Sequence, residues 1–400
     1  MPENPIDTIT KQSFGNNRKK SKPQGSVNPD IAKVFINKVQ YDGWKSFSIT
    51  RRLDSLSGNF SISLHDRFRE DGSRWPIKPG DDIQMFIGQD KIFVGYVDTL
   101  SATASADGRD LSISGRDLTG DLVDCVPKQQ GELKSLSLTQ LCQEICAPFG
   151  IEVQDVLDNT TTKEFFPVWR IKPGETAFET LDRAAKQRGV FLIANDFGQL
   201  RITRKGRFRA STEIVQGVNC LSISASYDNK DRFSEYKVVG QAPGTDTFNG
   251  ANVSSPSATA NDKGITRFRP TVIISETNVD QAKAQQRANW ENTLRAANSF
   301  KVNVSVQEFF QQDGRLWRIN EVVKVTSGFI GLQKQDLLVR SVSFSKSDSG
   351  TICTMEMTRP DAFQPKKTIE QDADPVSNLG WQIEQAKRKA LLRKQENAEQ

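Results

Sequence analysis

"IKPGDDIQMFIGQDKIFVGYVDTLSATASADGRDLSISGRDLTGDLVDC" (Ile77–Cys125) is the stretch whose reading decides the fold class. In "DIQMFIG" and "KIFVGYVDTLSATAS" apolar residues alternate with polar ones, the period of a strand with one buried face. Gln89-Asp90, beside Gly88, reads as a tight hairpin between them, and Asp107-Gly108 as a second turn. Pro79 and Gly80 turn the chain into the first strand. Strands this close together, with no helix between them, point to antiparallel neighbours rather than a βαβ layer.

The pattern extends outward. "VFINKVQY", "WKSFSITRRL" and "GNFSISL" precede it, so residues 30–128 read as a small antiparallel β-barrel. Beyond Cys125 the period changes. "SLSLTQLCQEICAPFGIEV" places Leu138, Leu141, Cys142, Ile145 and Cys146 at helical spacing, ended by Pro148 and Gly150. Val168–Arg204 reads as strand, turn, helix and hairpin. Thr176 is the predicted N-cap with Glu179 three residues on, Phe178, Leu181, Ala184 and Ala185 form the apolar face, and Gly189 closes the helix. Residues 129–210 are therefore an α+β region. Strands resume over 211–240 and again over 300–360 ("FKVNVSVQEF", "LWRINEVVKVTS", "DLLVRSVSFSKS", "TICTMEMTRP"), which together read as a second, discontinuous β-barrel. Residues 241–299 are an insertion: a Gly/Ser/Thr-rich loop at 241–264 and a helix, "VDQAKAQQRANWENTLRAAN". The two strand-rich halves are alike in pattern, which reads as an internal duplication.

The chain has 400 residues, 36% hydrophobic and 26% charged, enough for two or three domains. No run approaches the roughly 18 apolar residues of a membrane helix, and the first residues lack the apolar core of a secretory signal. The net charge of +5 is mild and concentrates at the ends. Residues 1–29 read as a flexible basic arm containing Arg18, Lys19, Lys20 and Lys22. Residues 361–400 read as a linker and a basic C-terminal helix containing Lys387, Arg388, Lys389, Arg393 and Lys394.

Catalytic chemistry finds little support. His65 is the single histidine and sits at a strand end, which leaves no room for a histidine-rich metal site. Five scattered cysteines make no disulfide framework. Cys142 and Cys146 share a helix face, but two thiolates without further ligands make a poor zinc site, so they read as buried free thiols. Asp81, Asp82, Asp117, Asp121 and Asp124 read as turn and strand-edge residues rather than a glycosidase pair. No phosphate-binding loop, nucleophile motif or cofactor box is present. The reading is of a non-enzyme with no catalytic, cofactor-binding or metal residues. "RKGRFRA" places Arg204, Lys205, Arg207 and Arg209 around Phe208, a basic hairpin end that could also serve as a basic channel wall or partner surface.

Two resemblances add to this. Trp169, Gly174, Thr176, Phe178 and Leu181 lie in a stretch that resembles half of a LysM module, a fold that often grips peptidoglycan. The second helix of that module is missing, which favours a structural role for these residues over peptidoglycan binding or cell-wall degradation, the alternative function. More broadly, Ser48–Arg67, Ile77–Cys125, Ile171–Arg204, "LWRINEVVKV" and "DLLVRSVSFSKSDSGTICTMEMTRPDAF" follow one another in the order found in the baseplate hub proteins of Mu-like contractile-tail phages, the Mu P type related to late control protein D hubs. The resemblance covers roughly residues 30–363. It implies a structural protein of the virion tail, synthesised in the bacterial cytoplasm. It further implies a homotrimeric ring joining a sixfold tail tube to a threefold central spike, anchoring baseplate wedge proteins and passing DNA or tape-measure protein through its lumen.

Overall fold

The structure, a computed structural model, describes residues 32–363 apart from 42, 66–76, 106–107, 158–159, 242–255, 279–280 and 349. The expected arm 1–29 lies outside the described residues, as do residues 364–400 of the expected 361–400 segment and most of the 241–264 loop.

The first half contains seven strands: β1 (Ala32–Ile36), β2 (Val39–Tyr41), β3 (Trp44–Arg52), β4 (Asn59–His65), β5 (Asp82–Ile87), β6 (Asp90–Ser105) and β7 (Gly108–Asp117). They lie side by side in the order β2-β1-β5-β6-β7-β4-β3, each pair antiparallel. The alternation read from the sequence sets their faces: Ile83, Met85 and Ile87 are buried, and so are Phe60, Ile62 and Leu64. Strand β6 serves two partners. Its residues 90–96 pair with β5 and its residues 95–105 with β7, and the register slips between Val97 and Thr99. Asp98 is the extra residue of this bulge. The changeover requires glycine twice. A Cβ on Gly95 would stand 2.0 Å from the Arg116 carbonyl oxygen, and one on Gly115 would stand 2.0 Å from that of Tyr96.

The central unit holds α1 (Gly120–Asp124), β8 (Glu132–Ser137), α2 (Leu138–Cys146), β9 (Val153–Asp155), α3 (Thr160–Lys163), β10 (Phe165–Arg170), α4 (Ala177–Arg188), β11 (Phe191–Ala194) and β12 (Leu200–Thr203). Strands β8 and β10 pair antiparallel, and β9, β12 and β11 form a second small sheet. Both longer helices begin with the capping box that their sequences specify, Ser137 with Gln140 and Thr176 with Glu179. Helix α4 ends at Gly189 in the left-handed conformation, φ 64°. Leu138, Leu141, Ile145, Trp169, Leu181, Leu200 and Ile202 build a core separate from that of the large sheet.

The rest of the chain contributes β13 (Phe208–Arg209), β14 (Ile214–Val215), β15 (Ser222–Tyr227), β16 (Glu235–Gln241), β17 (Ser257–Asn261), β18 (Pro270–Asn278), α5 (Gln281–Asn298), β19 (Phe300–Val306), β20 (Glu321–Ser327), β21 (Leu332–Ser347) and β22 (Gly350–Thr358). Strands β15, β19, β22, β21 and β20 form the second half, with β13 and β14 parallel to the far side of β20. Strand β21 divides itself as β6 does. It pairs with β20 up to Leu338 and with β22 from Leu338 to Ser347, with a bulge at Arg340 between Val339 and Ser341.

The structure changes three expectations. The two halves are not separate closed barrels: among the described residues they form one open, branched 14-stranded sheet, because β3 of the first half pairs with β21 of the second. Residues on both sides of this seam, such as Phe47, Phe309 and Phe344, share one core. Residues 235–240, grouped with the second barrel from their sequence, pair instead with β17 and β18 in a three-stranded sheet under α5. Finally, part of the expected 241–264 loop is a strand. Ala258 and Ala260 of β17 pack with Ala284 and Ala288 of α5, and such small side chains let helix and sheet approach closely. A Ser/Thr/Ala-rich composition hides that alternation.

Candidate interaction sites

The first site is a charged joint where the three main units meet. Strand β3 carries Arg51 into the interior, 4% exposed, where its Nη2 donates to the Ile92 carbonyl at 2.6 Å. Its Nη1 lies 3.2 Å from Asp196 Oδ1, in the turn between β11 and β12. The other oxygen of Asp196 accepts from Arg318 Nε at 2.8 Å, just ahead of β20. One carboxylate thus ties the central unit to both halves of the large sheet. Asn195 fixes the turn that presents it, its Oδ1 accepting from the backbone of Phe197 (2.9 Å) and Gln199 (3.0 Å).

Asp117, at the end of β7, is the neighbouring buried acid. Its Oδ2 accepts from the Gly58 backbone at 2.7 Å, and its Oδ1 accepts from the Thr119 hydroxyl at 2.5 Å and from Ser57 at 3.1 Å. Burial pushes its carboxyl above the ordinary range; the Thr119 hydrogen bond and the Arg51 charge oppose that shift. Every oxygen is matched to a donor, as a buried carboxylate requires.

Most of the residues singled out in the LysM-like stretch take part in the packing and capping of the central unit. Trp169 is 3% exposed and Leu181 is fully buried. The Arg183 guanidinium lies 4.1 Å from the Trp169 ring centroid, and its own Nε donates to Glu175 at 2.9 Å. Thr176 is the helix cap, Phe178 packs at the edge of the central core, and Gly174 makes the preceding turn at φ 79°.

The basic set is largely engaged within the chain. Lys205 pairs with Asp361 at 3.2 Å, and Arg209 grips Asp336 of β21 through two bonds of 2.7 and 2.8 Å. Arg204 donates to the Thr161 hydroxyl at 3.1 Å. Arg207 is exposed and has no acidic partner among the described residues. Acidic side chains thus neutralise Lys205 and Arg209, while Arg204 is held only through a hydroxyl.

Sequence reading missed Arg51, Asp196 and Arg318. Asn195-Asp196 looks like ordinary turn chemistry, and an arginine in an alternating strand looks like an outward residue. Only the packing shows that Arg51, on the same buried face of β3 as Phe47 and Ile49, meets Asp196 there.

Four phage-tail family models divide the chain. The N-terminal domain of Mu phage baseplate assembly protein GpP-like proteins matches residues 31–117, and the second domain of gp44-like baseplate hub proteins matches 119–204. The third domain of NMB1110-like tail proteins matches 232–289, and the fourth domain of Mu phage baseplate assembly protein GpP matches 280–366. A duplicated β scaffold with a braced central unit is thus the plan of a phage tail component, and the matched families are structural rather than enzymatic. The baseplate hub protein gp44 of Escherichia phage Mu is 31% identical over 325 residues, 80% of this chain and 85% of its own. The chain belongs to this family of Mu-type baseplate hub proteins, parts of the virion tail. The 43 kDa tail protein of prophage MuSo2 from Shewanella oneidensis has a similar structure, with a TM-score of 0.73 and 31% identity over 84% of this chain and 99% of that one. The tail protein from Neisseria meningitidis MC58 shares the fold at a TM-score of 0.67 and 20% identity, covering 84% and 98%. No helix among the described residues is long and apolar enough to cross a membrane.

Proposed function

We propose that three copies of this chain form a ring at the centre of the baseplate, joining the tail tube to the central spike. The observation that carries this reading is the repeated strand order of the two halves in a chain of the hub family. Three copies with two similar units each offer six similar positions around one axis. Such a ring is threefold in its chemistry and close to sixfold in its shape. It can therefore mate with a sixfold tube on one side and a threefold spike on the other, while its rim anchors the wedge proteins.

In this ring the LysM-like region within 129–210 is a brace at the edge. The buried positions of Trp169 and Leu181 suit that role. The lumen passes DNA or the tape-measure protein, with Arg207 available at its wall. The chain is made in the bacterial cytoplasm and acts in the virion. Permanent interfaces of this kind bury more than about 2,000 Å².

Light scattering on the purified full chain, with negative-stain images of the same sample, tests the proposal. A concentration-independent mass of three chains and ring-shaped particles are expected. A monomer at tens of micromolar, without rings, would sink it.

A further inference from the structure

The two halves correspond strand by strand. The order β3-β4-β7-β6-β5 in the first half recurs as β15-β19-β22-β21-β20 in the second. The correspondence holds at the level of residues. The β6–β7 hairpin closes at Ser105 opposite Gly108, and the β21–β22 hairpin closes at Ser347 opposite Gly350. The bulges fall at Asp98 and at Arg340. Ile62 opposite Ile113 matches Val304 opposite Met355. Phe47 opposite Ile62 matches Ile223 opposite Val304.

One pairing has no counterpart among the described residues of the chain. Strand β3 pairs with the outer flank of β21, from Arg52 opposite Ser341 to Phe47 opposite Lys346. The equivalents are β15 and the flank of β6 over residues 99–104. Among the described residues, nothing pairs with that flank of β6 or with the free edge of β15.

Burial follows the same division. Phe47 and Ile49 of β3 are 2% and 0% exposed, while their equivalents Ile223 and Ala225 are only half-buried. Val342 and Phe344 of β21 are 1% and 2% exposed, while their equivalents Leu100 and Ala102 are half-buried and exposed. Tyr227, at the position of the buried Arg51, is 63% exposed. Neither edge carries the Lys or Pro that proteins use to block strand addition. At the seam within the chain, Thr50 Oγ1 lies 3.0 Å from Ser343 Oγ. The equivalent positions, Ser226 and Ser101, are both hydroxyl residues again.

We propose that β15 of one copy adds antiparallel to the outer flank of β6 in a second copy, with Ser226 opposite Ser101, Ala225 opposite Ala102 and Ser224 opposite Thr103. The occupant is a second copy of this chain because the mating strand is specified, in register, by the chain's own duplicate seam. The contact is head-to-tail, so each copy donates one edge and accepts one, and repetition closes a ring when the rotation permits. This rests on the self-association proposed above and names the surface that produces it.

The test places cysteines in the otherwise intact full chain with Cys125→Ser. Ser101→Cys with Ser226→Cys, under mild oxidation, is expected to give disulfide-linked dimers and a covalently closed oligomer on non-reducing gels. Each single variant, and the out-of-register pair Ser101→Cys with Ser224→Cys, should give at least tenfold less. Light scattering runs on the same samples. A trimer that does not cross-link, or cross-links equally out of register, overturns the strand pairing and leaves the trimeric ring standing. In-register cross-links in an assembly of another size uphold the pairing and overturn the trimer. A monomer that does not cross-link overturns both.

Discussion

Asp196 and Arg51 lie 3.2 Å apart in the interior, with side chains 10% and 5% exposed, and they join the central unit to the seam strand of the large sheet. The attraction is worth most where water is excluded, and so is the penalty of leaving one partner alone. Asp196→Ala removes the carboxylate paired with Arg51 and leaves it the Ile92 carbonyl as acceptor, with the Asp117 carboxyl nearby. A loss of about 3–5 kcal/mol in unfolding free energy is expected. Arg318→Ala removes the more exposed partner and should cost about 1 kcal/mol or less. Urea unfolding followed by fluorescence measures both. Equal effects would mean that the Asp196–Arg51 contact does not hold the joint.

The same seam carries a pH dependence. Asp54 accepts from Arg52 Nε at 3.0 Å and from Arg340 Nη2, at the β21 bulge, at 2.7 Å. Burial by itself raises its carboxyl, but the two hydrogen bonds and the two positive charges outweigh burial and bring it down to about 2. Its ordinary value is about 4. A folded value below the unfolded one contributes stability that is present above pH 4 and lost as the pH falls toward 2. Asp117, raised by burial, works in reverse: its folded form keeps the proton to higher pH, so it favours the fold less as pH rises. Comparison with Asp54→Asn isolates the first term. The fall in unfolding midpoint between pH 4 and pH 2 should be smaller in the variant, and an unchanged fall would rule Asp54 out.

Glycines separate close approach from turn geometry. An added methyl at Gly95 or Gly115 would sit 2.0 Å from a backbone oxygen of the partner strand, which cannot move without breaking the ladder. Gly95→Ala and Gly115→Ala should each cost at least about 3 kcal/mol or prevent folding. At Gly174 nothing lies within 4 Å of the added methyl, and only the positive φ of 79° opposes it. Gly174→Ala should cost about 1–2 kcal/mol. Thermal melts distinguish the classes, and a mild Gly95→Ala would show that β6 can change partners without this contact.

Much of this fold is legible residue by residue. The alternation in Asp82–Ile87 marks its buried face, Thr176 and Glu179 declare the start of α4, and Gly189 its end. What the sequence hides is the partner of each strand. Ser343 and Thr50 look like outward hydroxyls, yet they face each other across the seam that makes one sheet of two halves. The exchange of partners along β6 and β21 is equally silent, because a bulge adds one residue without disturbing composition. The basic set around Phe208 illustrates the converse. Its charge is plain in the sequence, but Asp336 and Asp361, which neutralise two of its members, lie more than a hundred residues away.

The thiols give a last prediction, and it bears on the reading of Cys142 and Cys146 as core residues. Burial raises Cys142 well above the ordinary thiol range and pushes Cys146 up to about 12, while Cys353 is raised by burial in the large core. A thiol held protonated and out of reach does not attack a disulfide reagent. Cys125 is exposed, and Cys220 is partly buried, with burial raising its thiol. Titration of the native full chain with an aromatic disulfide at pH 8 should therefore modify Cys125 within seconds and Cys220 more slowly. The other three should react only after denaturant is added. Prompt modification of Cys142 or Cys146, identified by peptide mapping, would show that α2 opens readily and that its packing against α4 is not the rigid core of the central unit.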